Sequence, residues 1–458
     1  MLGVRPITRV LLVLCAAALL CPPAHAIDLR GDFSLLGQVR ERYNAGDTDS
    51  PNIIYSDVGA SGLPYGSSFN AYSRLEHDFD TDQGPTEFYA GYLQIPNAVP
   101  GVNFTLGRQF LNEVPGGVFV ADAGKVRFDP GGPVAFTVFG GQPRYFEPTY
   151  STELLNQDEI IFGGSIRTTH LKNGYFSLGY LQQERKLRLM PSPLFGVGNQ
   201  PRARQELRQL FSGSGAHRFM NLPGLPNLYG SVSYDADLQN IDQGTAGVDM
   251  FLNQPRLLIN FESTYYKPQD MGKTVVADID RREDPIFQLF SVSQMLQFRS
   301  GLRYFLNRSL SAYGDYSYQR YEQVANSYVN GHIGSVGLQW LPSGDGLEVV
   351  RLEYYVFDSS GGNVNGGKFS YESRVYKRLL FRTLANVGYY EKASHERDTA
   401  VNTLLGLGYV LAPGLVGELD FEANRNQRFN EDFRFGFSIN YRFQHRTDSP
   451  QKQPPEVS

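Results

Sequence analysis

Phe433-Arg434-Phe435-Gly436-Phe437-Ser438-Ile439-Asn440-Tyr441-Arg442-Phe443 alternates without a break between large apolar residues and small, polar or basic ones. Side chains of a β-strand point to opposite faces with period two, so this stretch predicts a strand with one wholly apolar face and one polar face. An apolar face of that kind looks inward in a soluble barrel and outward in a membrane barrel. The rest of the chain has to decide which.

The same alternation continues upstream. Gly417, Leu419, Phe421 and Ala423 alternate with Glu418, Asp420, Glu422 and Asn424, and the tight turn Ala412-Pro413-Gly414 joins this strand to Leu405, Leu407 and Tyr409. Phe369, Tyr371 and Val375 alternate with Lys368, Ser370, Glu372, Arg374 and Tyr376. Val350, Leu352, Tyr354 and Val356 alternate with Arg351, Glu353, Tyr355 and Phe357.

Connections alternate as well. Short ones (Asn307 to Ser309, Pro342 to Gly346, Ala412 to Gly414) take turns with longer polar ones (Gln323 to Gly331, Asp358 to Gly367, Ser394 to Thr399, Arg425 to Glu431). Outer-membrane barrels have short periplasmic turns and longer extracellular loops. With Phe443 at the periplasmic rim, every short connection in this half falls on the periplasmic side, an agreement that the strand assignments do not presuppose.

Composition and targeting agree. Arg5 and Arg9, the apolar run Val10 to Leu20 and the Ala24-His25-Ala26 cleavage site make residues 1–26 a secretory signal, and that run is too short for a membrane-spanning helix. Leu20 stands where a lipobox before Cys21 wants Gly or Ala, so lipidation is not expected. Cleavage removes both cysteines, Cys15 and Cys21, and with them any disulfide, thiolate ligand or covalent haem attachment. The net charge of −5 becomes more negative once the two signal arginines go, which gives no support to nucleic-acid binding. Beyond the signal no apolar stretch reaches about 18 residues, so no spanning helix is expected. With 31 Phe, 28 Tyr and 48 Gly, the chain has instead the aromatic content that barrel girdles use.

These features predict an all-β fold, a transmembrane antiparallel up-and-down β-barrel of about 18–20 strands over residues 27–443, with 444–458 a disordered periplasmic tail. Candidate strands number about 20 or 21, and an even number is expected. Val118 to Phe128 is read as a short inward hairpin to restore it. The longest loops are placed at Leu187 to Gln205 and at Gln269 to Pro285, which holds Asp278, Asp280, Arg281, Arg282, Glu283 and Asp284; Asn44 to Ser68 is read as a third.

A barrel this wide has a lumen that side chains cannot fill. The polar faces then line it: Arg351, Glu353, Lys368, Glu372, Arg374, Glu418, Asp420, Glu422, Arg434, Asn440 and Arg442 are the candidate pore-lining residues. They can set selectivity, as rings of charge do, or simply solvate the wall. Glu418, Asp420 and Glu422 share a face, but no calcium-loop pattern accompanies them, and His77, His170, His217, His332, His395 and His445 are scattered singly. No metal, cofactor or catalytic site is expected, since no strand offers a Ser and His in registered proximity.

Along its length the mature chain resembles porin-like outer-membrane proteins, and the Phe-rich last strand resembles the terminal strand that barrel assembly machinery recognises, although Phe443 is here followed by a tail. Leu106-Gly107-Arg108-Gln109 with the later Asp122-Ala123-Gly124 resembles the early region of large outer-membrane channels for sugars, organic anions or exported polysaccharide. A second likeness is to the barrel component of porin–cytochrome conduits, which sheathes a multihaem cytochrome. The resemblances imply outer-membrane lipid, the assembly machinery and small polar solutes as partners, with a multihaem cytochrome or export partner in the alternative. A channel should have a loop narrowing the lumen and local charge segregation; a sheath should have a wide, loop-free lumen of mixed polarity.

Overall fold

Alternation of the kind seen in 433–443 runs through nearly the whole chain, and the backbone answers it with strands. The computed structural model describes residues 27–41, 48–78, 86–114, 119–144, 160–168, 170–188, 203–237, 239–252, 256–267, 294–324, 327–344, 347–359, 362–375, 378–391, 397–426 and 432–446. The first half of the chain forms β1 (Asp28–Glu41), the two-residue β2 (Thr48–Asp49), β3 (Pro51–Leu63), β4 (Ser67–Asp78), β5 (Thr86–Val99), β6 (Val102–Leu111), β7 (Phe119–Phe128), β8 (Val134–Arg144), β9 (Ile160–Thr168), β10 (Gly174–Arg188), β11 (Ala203–Arg218) and β12 (Asn227–Asp235). The second half forms β13 (Asn240–Leu252), β14 (Leu257–Tyr266), β15 (Met295–Phe305), β16 (Leu310–Val324), β17 (Ser327–Trp340), β18 (Glu348–Ser359), β19 (Gly362–Val375), β20 (Leu379–Glu391), β21 (Arg397–Ala412), β22 (Leu415–Arg425) and β23 (Asp432–Arg446).

Each wall strand pairs antiparallel with its neighbours in the chain, and β1 pairs with both β3 and β23. The short β2 only extends the first hairpin, through Arg40↔Asp49 and Glu41↔Thr48. The sheet is therefore a closed barrel of 22 strands with no free edge. Ladder parity carries the apolar row of β23 around the wall. Phe435, Ile439 and Tyr441 sit opposite Val39, Leu35 and Phe33 of β1. On the far side Trp340, Leu338 and Val336 of β17 sit opposite Val350, Leu352 and Tyr354 of β18. This face is exposed while carrying Phe, Leu, Val, Tyr and Trp, the arrangement that lipid requires of an outer-membrane barrel. Among the described residues no helix is long and apolar enough to cross a membrane.

Several expectations need correction. The wall has 22 strands rather than 18–20. Asn44 to Ser68, read as a loop, is mostly β3 and pairs with β1 from Asp28↔Ser61 to Gly37↔Asn52. Its small residues fit a crowded wall: Arg30 of β1 lies across Gly59 on one face, and Ser56 Oγ meets Ser73 Oγ at 2.7 Å on the other. Val118 to Phe128, read as an inward hairpin, is in large part the wall strand β7, paired to β6 and β8. Two connections read as long polar loops are mostly strand, because β16–β17 and β18–β19 run on to 325–326 and 360–361. Lipid imposes alternation only on the embedded part of a strand, so these outer ends are polar on both faces and resemble loops in sequence. The last strand extends past Phe443 to Arg446, which pairs with Asp28.

The short connections between β15 and β16, β17 and β18, and β21 and β22 fall where expected, on the side of the two chain ends. Residues 1–26, 189–202, 268–293 and 447–458, which hold the signal, most of the two longest loops and the rest of the tail, lie outside the described residues.

Candidate functional site

Register places all eleven candidate pore-lining residues on the face opposite the lipid row. On β18, Arg351 and Glu353 stand opposite Ser370 and Lys368 of β19, and Val349 opposite Glu372, with Arg374 next along the same face. On β22, Glu418, Asp420 and Glu422 stand opposite Ser438, Gly436 and Arg434, and Asn440 and Arg442 continue that face of β23. Their charges are largely paired along the wall. Arg351 approaches Glu372 at 3.7 Å, Arg434 Nε donates to Asp432 at 2.8 Å, and Arg442 reaches Asp32 across the closing seam at 2.6 Å. Asn402 Nδ2 donates to Glu422 at 2.7 Å. Lys368 and Arg374 make no ion pair among the described residues.

A second arrangement recurs and was not foreseen. A long inward side chain lies across a glycine of the next strand and bonds to an acid or amide one strand further on. Tyr229 of β12 crosses Gly247 of β13 and donates to Glu262 of β14 at 2.9 Å. Tyr313 of β16 crosses Gly337 of β17 and donates to Glu353 of β18 at 2.7 Å. Tyr355 of β18 crosses Gly366 of β19 and donates to Asn386 of β20 at 2.8 Å. Arginine does the same twice: Arg30 crosses Gly59 to Asn70, with Nη2 donating at 2.8 Å, and Arg382 crosses Gly406 to Asp420, with Nη2 donating at 2.6 Å. A Cβ at any of these glycines would collide with the crossing side chain, so glycine lets it lie flat. These straps lay long side chains along the lumen wall rather than across the opening.

The wall from β6 to β11 behaves differently. After Leu111 the chain turns inward, and Val114 packs over Gly179 of β10, where a Cβ would come within 3.2 Å of Val114 Cγ2. Val114 joins Leu111, Ala121, Ala123, Phe139, Ile161, Leu181 and Leu210 in a buried apolar cluster, the inner counterpart of the lipid-facing row. Gln109 is buried beside it and donates to the Ala123 carbonyl at 3.0 Å. Next to this cluster lies a recess of roughly 610 Å³, lined by Gln94, Asn103, Thr105, Thr137, Ser165, Ser177 and Ser214 and reached by Lys125, Arg127 and Arg167. Lys125 is held by Glu113 at 2.7 Å, Arg127 by Asp129 at 3.1 Å, and Arg167 stacks on Tyr175 at 4.5 Å.

Sequence reasoning placed Tyr355 on the inward row but missed Arg382, Tyr229, Tyr313 and this whole recess. Alternation identifies which face a residue takes, but the straps need pairing register across three strands. The one available signal for the inward segment was the break in alternation between Leu111 and Phe119. Among the described residues no group of three His, Cys, Asp or Glu could hold a metal ion.

No protein-family model matches the sequence, and no curated protein matches it. Solved structures do resemble it. The P pilus usher (PapC) translocation pore aligns over 90% of this chain and 99% of its own, at 9% identity and a TM-score of 0.49. Pseudomonas aeruginosa OccK2 (OpdF), in complex with glucuronate, aligns over 91% and 98% at 11% identity and a TM-score of 0.45. OpdK from the same organism, with vanillate, aligns over 91% and 99% at 10% identity and a TM-score of 0.44. The chain's own geometry, a closed barrel with an apolar outer band and a polar inner face, is that of an outer-membrane β-barrel.

Proposed function

We propose that the protein is an outer-membrane channel that passes small polar or charged solutes through a water-filled lumen of mixed charge. The observation that carries this reading is the segment after Leu111, which turns to the inner face so that Val114 packs over Gly179 of β10 and into the buried cluster there. A loop folded inward is what a passive channel uses to set its cut-off. Arg351, Glu353, Lys368, Glu372, Arg374, Glu418, Asp420, Glu422, Arg434, Asn440 and Arg442 line the path in this reading, and their mixed signs favour no strong discrimination by charge. Residues 1–26 act as a removable signal, and the Phe-rich β23 is the element offered to the barrel assembly machinery.

A second reading keeps one support. The straps from β12 to β22 leave that wall flat, as a sheath around a multihaem cytochrome or an export partner would need. Single-channel recording of the purified barrel in a planar bilayer separates the two. Stable conductance steps, with a reversal potential in a salt gradient, support the channel; a folded, heat-modifiable but electrically silent barrel supports the sheath.

A further inference from the structure

The lipid-facing wall is mostly apolar but carries a compact charged group on β6, β7 and β8. Arg108 lies on the same face of β6 as Leu106 and Phe110, since it stands opposite Gly91 of β5, whose row continues through Leu93 and Ile95. Parity puts Asp122 of β7 and Arg144 of β8 on that outer face too. Arg108 Nε donates to Asp122 Oδ1 at 2.7 Å and Nη2 to Oδ2 at 3.1 Å. Arg144 Nε donates to Asp122 Oδ2 at 2.6 Å. Arg108 is further fixed by Nη1 donating to the Phe88 carbonyl at 2.8 Å and by its stacking over the Phe88 ring at 5.4 Å.

Two cations share one anion, so the group carries net positive charge, and both guanidinium groups stay partly exposed, at 23% for Arg108 and 39% for Arg144. Arg108 stands as far above the start of β6, Val102, as Tyr316 stands above the start of β16, Leu310, and Tyr316 belongs to the aromatic set with Tyr318 and His332. Directly below lie the exposed Leu106, Val138 and Phe136. On the same outer face, beyond β9, Gln209 Nε2 and the Tyr180 hydroxyl both donate to Gln182 Oε1, at 3.4 and 2.8 Å.

We propose that Arg108 and Arg144 bind a phosphate of the anionic glycolipid of the outer leaflet, lipid A, whose acyl chains cover Leu106, Val138 and Phe136. A guanidinium pair held in place by a carboxylate is pre-organised for bidentate phosphate contact. An uncompensated cation on a lipid-facing wall is costly unless an anionic headgroup meets it.

The test is native mass spectrometry of the full barrel after exchange from outer membranes into neutral detergent, counting retained lipid A. Arg144→Gln keeps the Arg108–Asp122 pair but removes the net charge, and should lower retention roughly tenfold, the loss of one charge-assisted contact. Asp122→Asn raises the net charge and should keep or increase retention. Reloading with lipid A should restore binding to the unmodified barrel, and lipid A stripped of its phosphates should not. Equal retention by Arg144→Gln, parallel loss in Arg144→Gln and Asp122→Asn, or equal reloading by dephosphorylated lipid A would overturn the assignment.

Discussion

Gly406 lies directly beneath Arg382. A Cβ at position 406 would stand 2.6 Å from both Arg382 Nε and Asp420 Oδ1, so the bidentate pair between Arg382 and Asp420, at 3.1 and 2.6 Å, exists because position 406 has no side chain. Gly406→Val should therefore lift Arg382 off the wall. Overpacking of this kind costs about 1–3 kcal/mol, read as a lower urea midpoint in lipid vesicles, and the freed cation should shift permeability toward anions. An unchanged midpoint and unchanged selectivity would mean that the glycine is incidental.

The Tyr313 strap divides into two parts that can be measured separately. Tyr313→Phe keeps the ring over Gly337 and removes the hydroxyl that donates to Glu353, so it should cost about 1 kcal/mol. A double-mutant cycle with Glu353→Gln should return a coupling of about 0.5–2 kcal/mol. Additive single effects would show that the 2.7 Å contact contributes nothing to stability.

Neutralising acids on β22 tests the lumen assignment directly. Glu418 and Glu422 share the inward face with Asp420, and all three lie beside Arg382 or Arg434. The double variant Glu418→Gln with Glu422→Gln should move the reversal potential in a salt gradient toward anion preference while the barrel stays heat-modifiable. A reversal potential identical to the unmodified protein's would remove these residues from the conducting path.

Val114 is the handle on the inward segment. Val114→Asp places an unpaired carboxylate in the apolar cluster around Leu111, Ile161, Leu181 and Leu210, at a cost of several kcal/mol if the segment stays in place. Releasing the segment is cheaper than burying the charge. Single-channel conductance should rise, and a conductance that falls or stays level would show that the segment does not narrow the path.

How much of this was legible follows from what alternation can encode. The last strand, the Ala412-Pro413-Gly414 turn and the inward face of β18, β19, β22 and β23 are local patterns, and the polar faces read from sequence are the inward faces in the structure. Strand count was not legible because small residues serve two masters. Gly59 and Ser56 in β3 look like loop residues, yet they are small because Arg30 crosses one and Ser73 meets the other. Likewise β16 to β19 run beyond the embedded zone, where alternation lapses although pairing continues. The straps were invisible for a further reason: Tyr229, Gly247 and Glu262 come together only through the bulge-shifted register of β12 and β13 and the pairing of β14.

The seam between β1 and β23 runs from Asp28↔Arg446 to Val39↔Phe435, so the first strand made is completed only by the last. Until residues 432–446 arrive, β1 presents unpaired backbone donors and acceptors along one side, and the Asp32–Arg442 bridge at 2.6 Å waits on a partner 410 residues away. Closing so long a loop is an entropic barrier that falls at the end of assembly rather than at its start. The barrel is thus a ring that cannot be partly built and stable, and whatever inserts it must shelter an open edge for the whole time that the chain is being threaded.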